Sequence, residues 1–469
     1  MDSFTFILIT VTTIGIAGFL VLRWGRTYPQ VLLLMMPLAY DMVTVNASVL
    51  FLDSNKIFIS ETSTVSHETG AAVRLLLFNI LIVVGVAIGM SIWSALFGRL
   101  GATVTPPPED VCRRMLWLML AVIGISLANV LLSHGVPYPG SGFDRQSFWE
   151  FRLRFPIIRD VFGILLLFVP FVCAAVELYG RRLREKSLTT FARIVLVLYF
   201  LFLLIGGQVF HGLLFPSTIV VAFFIAPTIY GRTKLLVINR LPLLVAGAIA
   251  MVATVYLSFQ NRGISASFVS AWDAIIYRVV ALQGSAYWQS DFLWGLGGAT
   301  GSLDTLLHGR EFLILSIMPP SLAEGYLRDG VNLQGALPGT SLLSIGLVPT
   351  VLLCIGYGIL VGFVTSLVYS MVINGRVILL LPTSYLWLWT ITVYSRASLE
   401  SIFDKKFLLF SVIVAGSSLV YMHGRRTRSS SDPFIDTRLQ KPKAPPRRNT
   451  ARPGTRPASR PSRSSVVKV

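Results

Sequence analysis

Residues 72–97 read AVRLLLFNILIVVGVAIGMSIWSALF, and this stretch decides the class of fold. A run of about 20 apolar residues is long enough to cross a hydrocarbon core of roughly 30 Å as a helix. The hydrocarbon offers no water to the backbone, so such a run must satisfy its own hydrogen bonds, which a helix does. Similar runs recur along the 469 residues, which are 54% hydrophobic and 13% charged with a mean hydropathy of +0.71. The sequence therefore predicts an all-α, polytopic integral membrane protein and excludes a soluble domain.

We predict about eleven transmembrane spans. They lie at about 4–22, 31–52, 72–97, 115–134, 160–180, 188–206, 213–230, 241–258, 341–372, 377–395 and 406–422. The run 341–372 is long for a single crossing, which leaves open a tilted helix, an extension beyond the bilayer or a re-entrant turn. The first run has no basic segment before it, which favours a retained helix over a cleaved signal peptide.

Basic residues orient the predicted bundle, because short cytoplasmic connections carry an excess of Lys and Arg. One alternating set of connections holds Arg23, Arg26, Arg99, Arg113, Arg114, Arg181, Arg182, Arg184, Lys186, Arg232, Lys234, Arg240 and Arg376. Placing this set in the cytoplasm of a bacterial inner membrane puts the N-terminus in the periplasm and the C-terminus inside. We therefore predict a membrane domain at 1–422, with a long periplasmic loop at about 259–340, and a basic cytoplasmic tail at 423–469.

The tail is a segment of different composition. It holds thirteen Lys and Arg against two Asp and includes the run KPKAPPRRNTARPGTRPASRPSRSS, which cannot bury a core. We expect a disordered tail attracted to anionic headgroups. Aromatic residues are nearly absent from it, which disfavours nucleic-acid binding because no stacking platform is present.

Arginines on the opposite, periplasmic face are the second informative feature. The predicted threading places there Arg145, Arg152, Arg154, Arg159, Arg262, Arg278, Arg310, Arg328 and Arg396. Membrane topology selects against basic residues on that face. Guanidinium groups bind phosphate in a bidentate geometry and stay charged in any pocket. A polyanionic, lipid-linked substrate would explain the set.

Two periplasmic connections combine arginine with aromatic and amide side chains. A short interfacial helix at 146–155 would place Phe148, Phe151 and Phe155 on one face, with an interfacial anchor without ligand as the alternative. In the long loop, 272–288 predicts a helix from which Arg278 projects. Sugar rings favour aromatic platforms, and their hydroxyls favour amides and carboxylates. The substrate-binding candidates are therefore Arg310, Arg145, Arg152, Gln283, Tyr287, Trp288 and Asp291.

Candidates for proton transfer lie near the same face. Arg396, Glu400 and Asp404 recur every four residues and are expected to share one helix face, with a self-paired surface ladder as the alternative. His211 follows the glycine pair in GGQVFHG and is either a proton carrier or structural. Asp41 lies within a predicted span, where a carboxylate is functional by default or pairs with an arginine such as Arg74.

Four segments carry a resemblance to a known family: GGQVFHGLLFPS, YRVVALQGSAYW, FLILSIMPPSL followed by GALPGTSLLSIG, and SRASLESIF. Over roughly 190–420 the chain resembles the O-antigen and oligosaccharide repeat-unit polymerases of the Wzy type. The resemblance implies a metal-independent membrane glycosyltransferase without a cofactor. Such an enzyme joins undecaprenyl-diphosphate-linked oligosaccharide units into a surface polysaccharide at the outer leaflet, alongside a flippase and a chain-length regulator. By resemblance, Arg278 and Arg396 hold the lipid diphosphate, and Arg310 is a weaker match.

The chain departs from the family pattern in two places. Relatives place a basic residue shortly after the glycine pair, where this chain has Gln208, Val209 and Phe210 before His211, and NLQGALPG lacks the histidine that some relatives have. The general base is therefore open among His211, His308, Asp291, Glu311 and Glu400. Two other functions stay open, a ligase that transfers finished glycan and a flippase or transporter without catalysis. A secondary transporter favours paired half-length repeats, and the sequence shows none.

Overall fold

The computed structural model describes residues 29–60, 62–97, 108–138, 148–208, 210–225, 277, 281–328 and 336–417. The chain divides into two units, Met1–Ala415 and Gly416–Val469. The predicted tail, the spans expected at 4–22 and 241–258, and the candidates Arg145 and Arg278 lie outside the described residues. Of the second unit, only 416–417 are described.

Helices form nearly all of the described structure. In chain order they are α1 (Pro29–Leu34), α2 (Met36–Ser54), α3 (Ala71–Phe97), α4 (Glu109–Leu131), α5 (Pro156–Leu183), α6 (Lys186–Ile205), α7 (Phe210–Val220), α8 (Gln283–Gly297), α9 (Leu303–Leu307), α10 (Gly309–Ile317), α11 (Pro320–Arg328), α12 (Leu337–Ile345), α13 (Leu347–Ile373), α14 (Val377–Arg396) and α15 (Glu400–Phe403). Single π-helical turns lie at Phe148–Arg152 and Val221–Ile225. A two-residue antiparallel pair, β1 (Phe58–Ile59) and β2 (Thr64–Val65), closes the loop between α2 and α3.

Six helices of the described part are long and apolar enough to cross a membrane: α3, α4, α5, α6, α13 and α14. They correspond to the spans expected at 72–97, 115–134, 160–180, 188–206, 341–372 and 377–395. The span expected at 31–52 is two helices, α1 and α2, separated at Met35. The apolar helix at 213–230 is short in the described part, Gly212–Ile225. These helices are those of a multi-pass, all-α membrane protein.

The long run 341–372 is broken near its start. The helix α12 ends at Ile345, Gly346 adopts a φ of +81°, and α13 begins at Leu347. A positive φ strains any residue with a Cβ, so glycine is the residue suited to this break. The nine residues of α12 span only about 13 Å and are buried over Leu337–Ser344. The run is therefore a short buried helix followed by a full-length one.

The helices α3 and α13 make the most extensive contact between two helices of the described part. A Cβ on Gly85 would lie 2.3 Å from the Ile355 carbonyl oxygen, and one on Gly89 would lie 2.1 Å from that of Ile359. Gly358 and Gly362 make the reciprocal approaches from α13. Each helix thus contributes a small-xxx-small pair, which lets two backbones touch within a bilayer. The paired positions rise together along both chains, so the two helices run parallel.

The helix α8 is anchored at its start to α2. The Ser48 hydroxyl donates a 2.9 Å hydrogen bond to the Ala281 carbonyl and accepts a 2.8 Å hydrogen bond from the Gly284 backbone N–H. A Cβ on Gly284 would lie 2.7 Å from the backbone nitrogen of Val49. The second part of the long loop expected at 259–340 is therefore not a free loop. Its described residues include helices packed into the bundle.

The segment before α5 differs from the interfacial helix expected at 146–155. Of residues 148–155, which the structure describes, Phe148–Arg152 is helical, as a single π-helical turn. Phe148 is buried whereas Phe151 and Phe155 are exposed, so the three rings do not form one stripe, and that prediction was wrong. The start of α5 is held by Asn129, whose side-chain amide exchanges two 3.0 Å hydrogen bonds with the backbone of Phe155.

Candidate functional site

An arginine–aspartate pair joins α3 to α8. The Arg74 guanidinium donates from Nε to Asp291 Oδ1 over 2.7 Å and from Nη2 to Asp291 Oδ2 over 2.5 Å. Arg74 Nη2 also donates to the Thr69 carbonyl over 2.8 Å. The Asp291 side chain is fully buried, while that of Arg74 is 33% exposed. Arg74 therefore has one edge of its guanidinium fixed by Asp291 inside the protein, and part of its side chain stays exposed at the protein surface.

The loop before α3 completes the support of Arg74. Asp53 Oδ1 accepts hydrogen bonds from the Thr69 backbone N–H over 2.6 Å and from the Thr69 hydroxyl over 2.8 Å. Because Thr69 carries the carbonyl that Arg74 binds, Asp53 positions Arg74 through this loop. Trp294 lies beside the same cation, with its ring centroid 5.9 Å from Arg74 Cζ. Sequence reasoning predicted neither Asp53 nor Trp294 as part of a site. The available signal for Asp53 was its position as a charged residue directly after an apolar span.

This pair changes two expectations. Arg74 was suggested as a partner of Asp41, but its ion pair in the described structure is with Asp291. Asp291 was a candidate ligand for sugar hydroxyls and a candidate general base. Burial raises the pKa of the Asp291 carboxyl, and the Arg74 guanidinium opposes that rise. Both carboxylate oxygens accept hydrogen bonds from Arg74, so the structure gives Asp291 a positioning role toward that arginine.

The aromatic candidates of α8 are core residues. Tyr287 and Trp288 are fully buried, and a Cβ on Gly339 would lie 2.9 Å from the Tyr287 ring. The Trp288 ring is stacked on Phe292 at a centroid distance of 5.8 Å, and the exposed His67 meets both rings edge-on. Phe292, rather than Trp288, is partly exposed in this cluster. The fourth candidate of the helix, Gln283, is half-buried at its first position.

Arg396 is the last residue of α14 and is held by an aromatic ring. Its Cζ atom lies 4.2 Å from the Trp389 ring centroid, a cation–π distance. Within the described part of the chain its side chain makes no hydrogen bond and no ion pair, although Glu400 interacts with it electrostatically. Its guanidinium is partly buried beside the ring. A cation at the end of an apolar helix that forms no ion pair with a protein carboxylate is suited to bind an anionic ligand.

The ladder expected for Arg396, Glu400 and Asp404 does not form. Ala397 adopts a φ of +55° and ends α14, so Glu400 begins a separate short helix, α15, and is exposed. Asp404 accepts a 3.3 Å hydrogen bond from the Tyr385 hydroxyl. The prediction that the three charges share one helix face was therefore wrong, because the chain turns between the first and the second.

The turn after Arg396 packs on the junction between α9 and α10. A Cβ on Gly309 would lie 2.3 Å from the Ala397 carbonyl oxygen, and the Ser398 hydroxyl donates to the Leu307 carbonyl over 3.1 Å. The neighbouring Arg310 reaches the end of α11. Its Nη2 atom lies 3.4 Å from the Tyr326 carbonyl oxygen and 3.5 Å from the Leu327 carbonyl oxygen. Arg310 thus caps carbonyls at a helix C-terminus.

The remaining candidates have simpler placements. His308 and Glu311 are exposed on either side of Gly309. His211 lies in the first turn of α7, and Arg152 lies in the π-helical turn. Within the residues that the structure describes, no group of three or more His, Cys, Asp or Glu is arranged to hold a metal ion.

Comparison with known proteins gives one match. A family described as "Family of unknown function (DUF6418)" matches residues 304–411, which is less than half of the chain. The matched segment runs from α9 to beyond α15 and includes Arg310, Arg396 and Glu400. No curated protein and no solved structure matches the chain.

Proposed function

We propose that the protein is a membrane glycosyltransferase that polymerises undecaprenyl-diphosphate-linked oligosaccharide units into a surface polysaccharide at the outer leaflet of a bacterial inner membrane. The observation that carries the proposal is Arg396. This guanidinium lies over the Trp389 ring and makes no ion pair with the described residues, and Glu400 interacts with it only electrostatically. The resemblance to the repeat-unit polymerases assigns the same residue to the lipid diphosphate.

The chemistry needs a stabilised leaving group. When a sugar hydroxyl attacks the anomeric carbon of the lipid-linked donor, the bond to the diphosphate breaks and negative charge develops on the leaving oxygen. A cation that is already oriented stabilises this charge without reorganisation. Trp389 orients Arg396 in this way, and Arg278, by resemblance, supplies a second guanidinium.

The proton of the attacking hydroxyl must be taken up by a base. Glu400 is exposed at the start of α15, four residues after Arg396, and is the carboxylate we favour for this role. Asp291 is a weaker choice because Arg74 occupies both of its oxygens. His211 is kept as the alternative base, since it lies in the first turn of α7, shortly after the glycine turn.

A chain-length assay tests the proposal. In cells that make the polysaccharide, Arg396→Ala and Arg278→Ala should abolish long chains and leave single lipid-linked units on the outer side. Arg396→Lys should also be strongly impaired, because an ammonium group loses the bidentate contact. Lys405→Ala is the matched control, because it removes an exposed cation close to Arg396 in the chain. This variant should leave the distribution of polysaccharide chain lengths unchanged.

Two outcomes would contradict the proposal. A normal chain-length ladder in both arginine variants would exclude the diphosphate role. A deletion strain that retains the lipid-linked units on the cytoplasmic side would indicate a flippase instead of a polymerase. A purified sample that joins lipid-diphosphate-linked units in the presence of a chelator would support catalysis without a metal ion.

A further inference from the structure

A second charged cluster lies where α5 and α6 meet, and the proposed polymerase chemistry does not use it. Glu177 of α5 is fully buried, and its carboxylate is bound by two arginines. Arg181 donates from Nε to Glu177 Oε1 over 2.7 Å. Arg193 donates from Nη2 to Oε1 over 2.6 Å and from Nε to Oε2 over 3.2 Å. A buried carboxylate without partners is costly, so these bonds account for its presence.

The cluster has more positive than negative charge. Two guanidinium groups face one carboxylate, which leaves one positive charge uncompensated within the cluster. The Nη1 atoms of Arg181 and Arg193 have no hydrogen bond in the described part of the chain. The Arg193 side chain is 56% exposed although its inner edge is held by Glu177. Glu177 therefore fixes the orientation of two guanidinium forks whose free edges are suited to a phosphate.

An apolar surface continues from these arginines along α6. Ile194, Val197 and Leu201 are all exposed and spaced by three and four residues, so they form one stripe beside Arg193. Trp117 of α4 is also exposed, and its ring lies 5.0 Å from that of Phe191. Tryptophan is enriched where a membrane protein meets the headgroup region.

The cation and the tryptophan lie at similar depth. Arg113 near the start of α4 donates to the Ser187 hydroxyl near the start of α6 over 2.9 Å, so the two helices begin at the same end of the bundle. Arg193 and Trp117 follow those starts by seven and eight residues, which is about 11 Å of helix. Both side chains therefore lie at a similar distance from this end of the bundle, which is the depth expected for groups at the boundary between headgroups and acyl chains.

From this arrangement we infer that the cluster binds an anionic phospholipid. The phosphate diester accepts hydrogen bonds from Arg181 and Arg193, and an acyl chain lies along Ile194, Val197 and Leu201. The surplus positive charge favours a lipid with net negative charge over a zwitterionic one. Arg181 also donates to the Phe224 carbonyl over 3.2 Å, so the bound lipid would connect α5 and α6 with the π-helical turn at Val221–Ile225.

Lipid titration of the purified full chain tests the inference. Delipidated protein is titrated with phosphatidylglycerol or phosphatidylcholine, and bound lipids are counted by native mass spectrometry. Wild-type protein should bind phosphatidylglycerol at least tenfold more tightly. Arg193→Gln should lose about tenfold of that affinity, as expected for charge-assisted hydrogen bonds. Lys186→Gln, which removes the same charge from the start of the same helix, should bind as the wild type does.

Further variants keep the test decisive. Arg193→Lys retains the charge but not the fork and should recover part of the preference. Arg181→Gln should reproduce the loss with Glu177 still paired to Arg193, so the result does not depend on the folding of one variant. Equal binding of the two lipids by wild-type protein would overturn the inference, as would unchanged binding in both glutamine variants. Displacement of phosphatidylglycerol by millimolar inorganic phosphate would instead indicate a site for free phosphate.

Discussion

Gly358→Ala adds one methyl group at the contact between α3 and α13. The new Cβ would lie 2.1 Å from the Ile82 carbonyl oxygen and 2.9 Å from the Gly85 Cα. An ordinary contact begins at 3.4 Å, so the helices must separate locally by about 1.3 Å, the difference between 3.4 and 2.1. Neither neighbour is a flexible side chain that could rotate away. Overpacking of this kind costs about 1–3 kcal/mol.

Gly356→Ala is the matched control on the same helix. A Cβ at Gly356 would meet no atom within 4 Å. Alanine is a better helix former than glycine by up to about 1 kcal/mol, so this variant should be as stable as the wild type or slightly more stable. The two substitutions add the same atom two residues apart. The gain in helix propensity is common to both variants, so the difference between their free energies of unfolding should equal the overpacking cost, about 1–3 kcal/mol.

Unfolding of the purified protein by added SDS in mixed micelles, followed by tryptophan fluorescence, measures this difference. The double variant Gly85→Ala/Gly358→Ala should cost less than the sum of the single variants, because both methyl groups enter the same gap and one separation of the helices accommodates both. Equal unfolding free energies for Gly358→Ala and Gly356→Ala would refute the reasoning. The two backbones would then not be in contact.

Further predictions concern other contacts of the bundle, each read out as a free energy of unfolding. Arg74→Met should destabilise the protein by about 3 kcal/mol, because it leaves the buried Asp291 without its cation. A second substitution, Asp291→Leu, should recover most of this loss. If the two substitutions instead destabilise the protein additively, the residues are not paired. Asn129→Ala should cost about 2 kcal/mol, since two hydrogen bonds to the backbone of Phe155 are lost, and an unchanged midpoint would argue against that cap. Ser48→Ala should cost a similar amount by releasing the start of α8 from α2.

The class of fold was predictable from the sequence because hydropathy alone identifies a helix that must cross a hydrocarbon layer. The helices at 72–97 and 377–395 were predicted close to their observed ends for this reason. The break at Gly346 was not predicted, because the alternatives for that run were a tilted helix, an extension beyond the bilayer and a re-entrant turn. A single glycine inside an apolar run does not predict a positive φ. The backbone angle at Gly346 depends on how α12 packs against its neighbours.

The glycine pairs of α3 and α13 are present in the sequence, but the contact between the two helices was not predicted from them. The spacing GVAIG at 85–89 and GILVG at 358–362 is a known signal for close helix packing. Which two pairs meet is a tertiary property, and 273 residues separate the matched positions Gly85 and Gly358. The partner of a charged residue is also a tertiary property. Arg74 pairs with Asp291 because the folded chain brings the two side chains together, which their positions in the sequence do not show.

The candidate site was predictable only in part. Arg396 was identified from its position at the end of an apolar span, and the structure adds the stacking on Trp389. The shared face with Glu400 was wrong because a helical spacing of four residues assumes an unbroken helix, and Ala397 interrupts it. Tyr287 and Trp288 were expected as platforms from their chemistry. Burial decides whether an aromatic ring is available, and burial is a property of the folded chain.

The pair of Arg74 and Asp291 also has a consequence for biosynthesis. The two residues are 217 positions apart, and a ribosome adds about 5–20 residues per second. Arg74 therefore leaves the ribosome some 10–40 s before its carboxylate exists. Throughout that interval the emerging helix must keep an unmatched cation near the surface of the bilayer. Final seating of α3 is consequently a late event of assembly, completed only after the ribosome has reached α8.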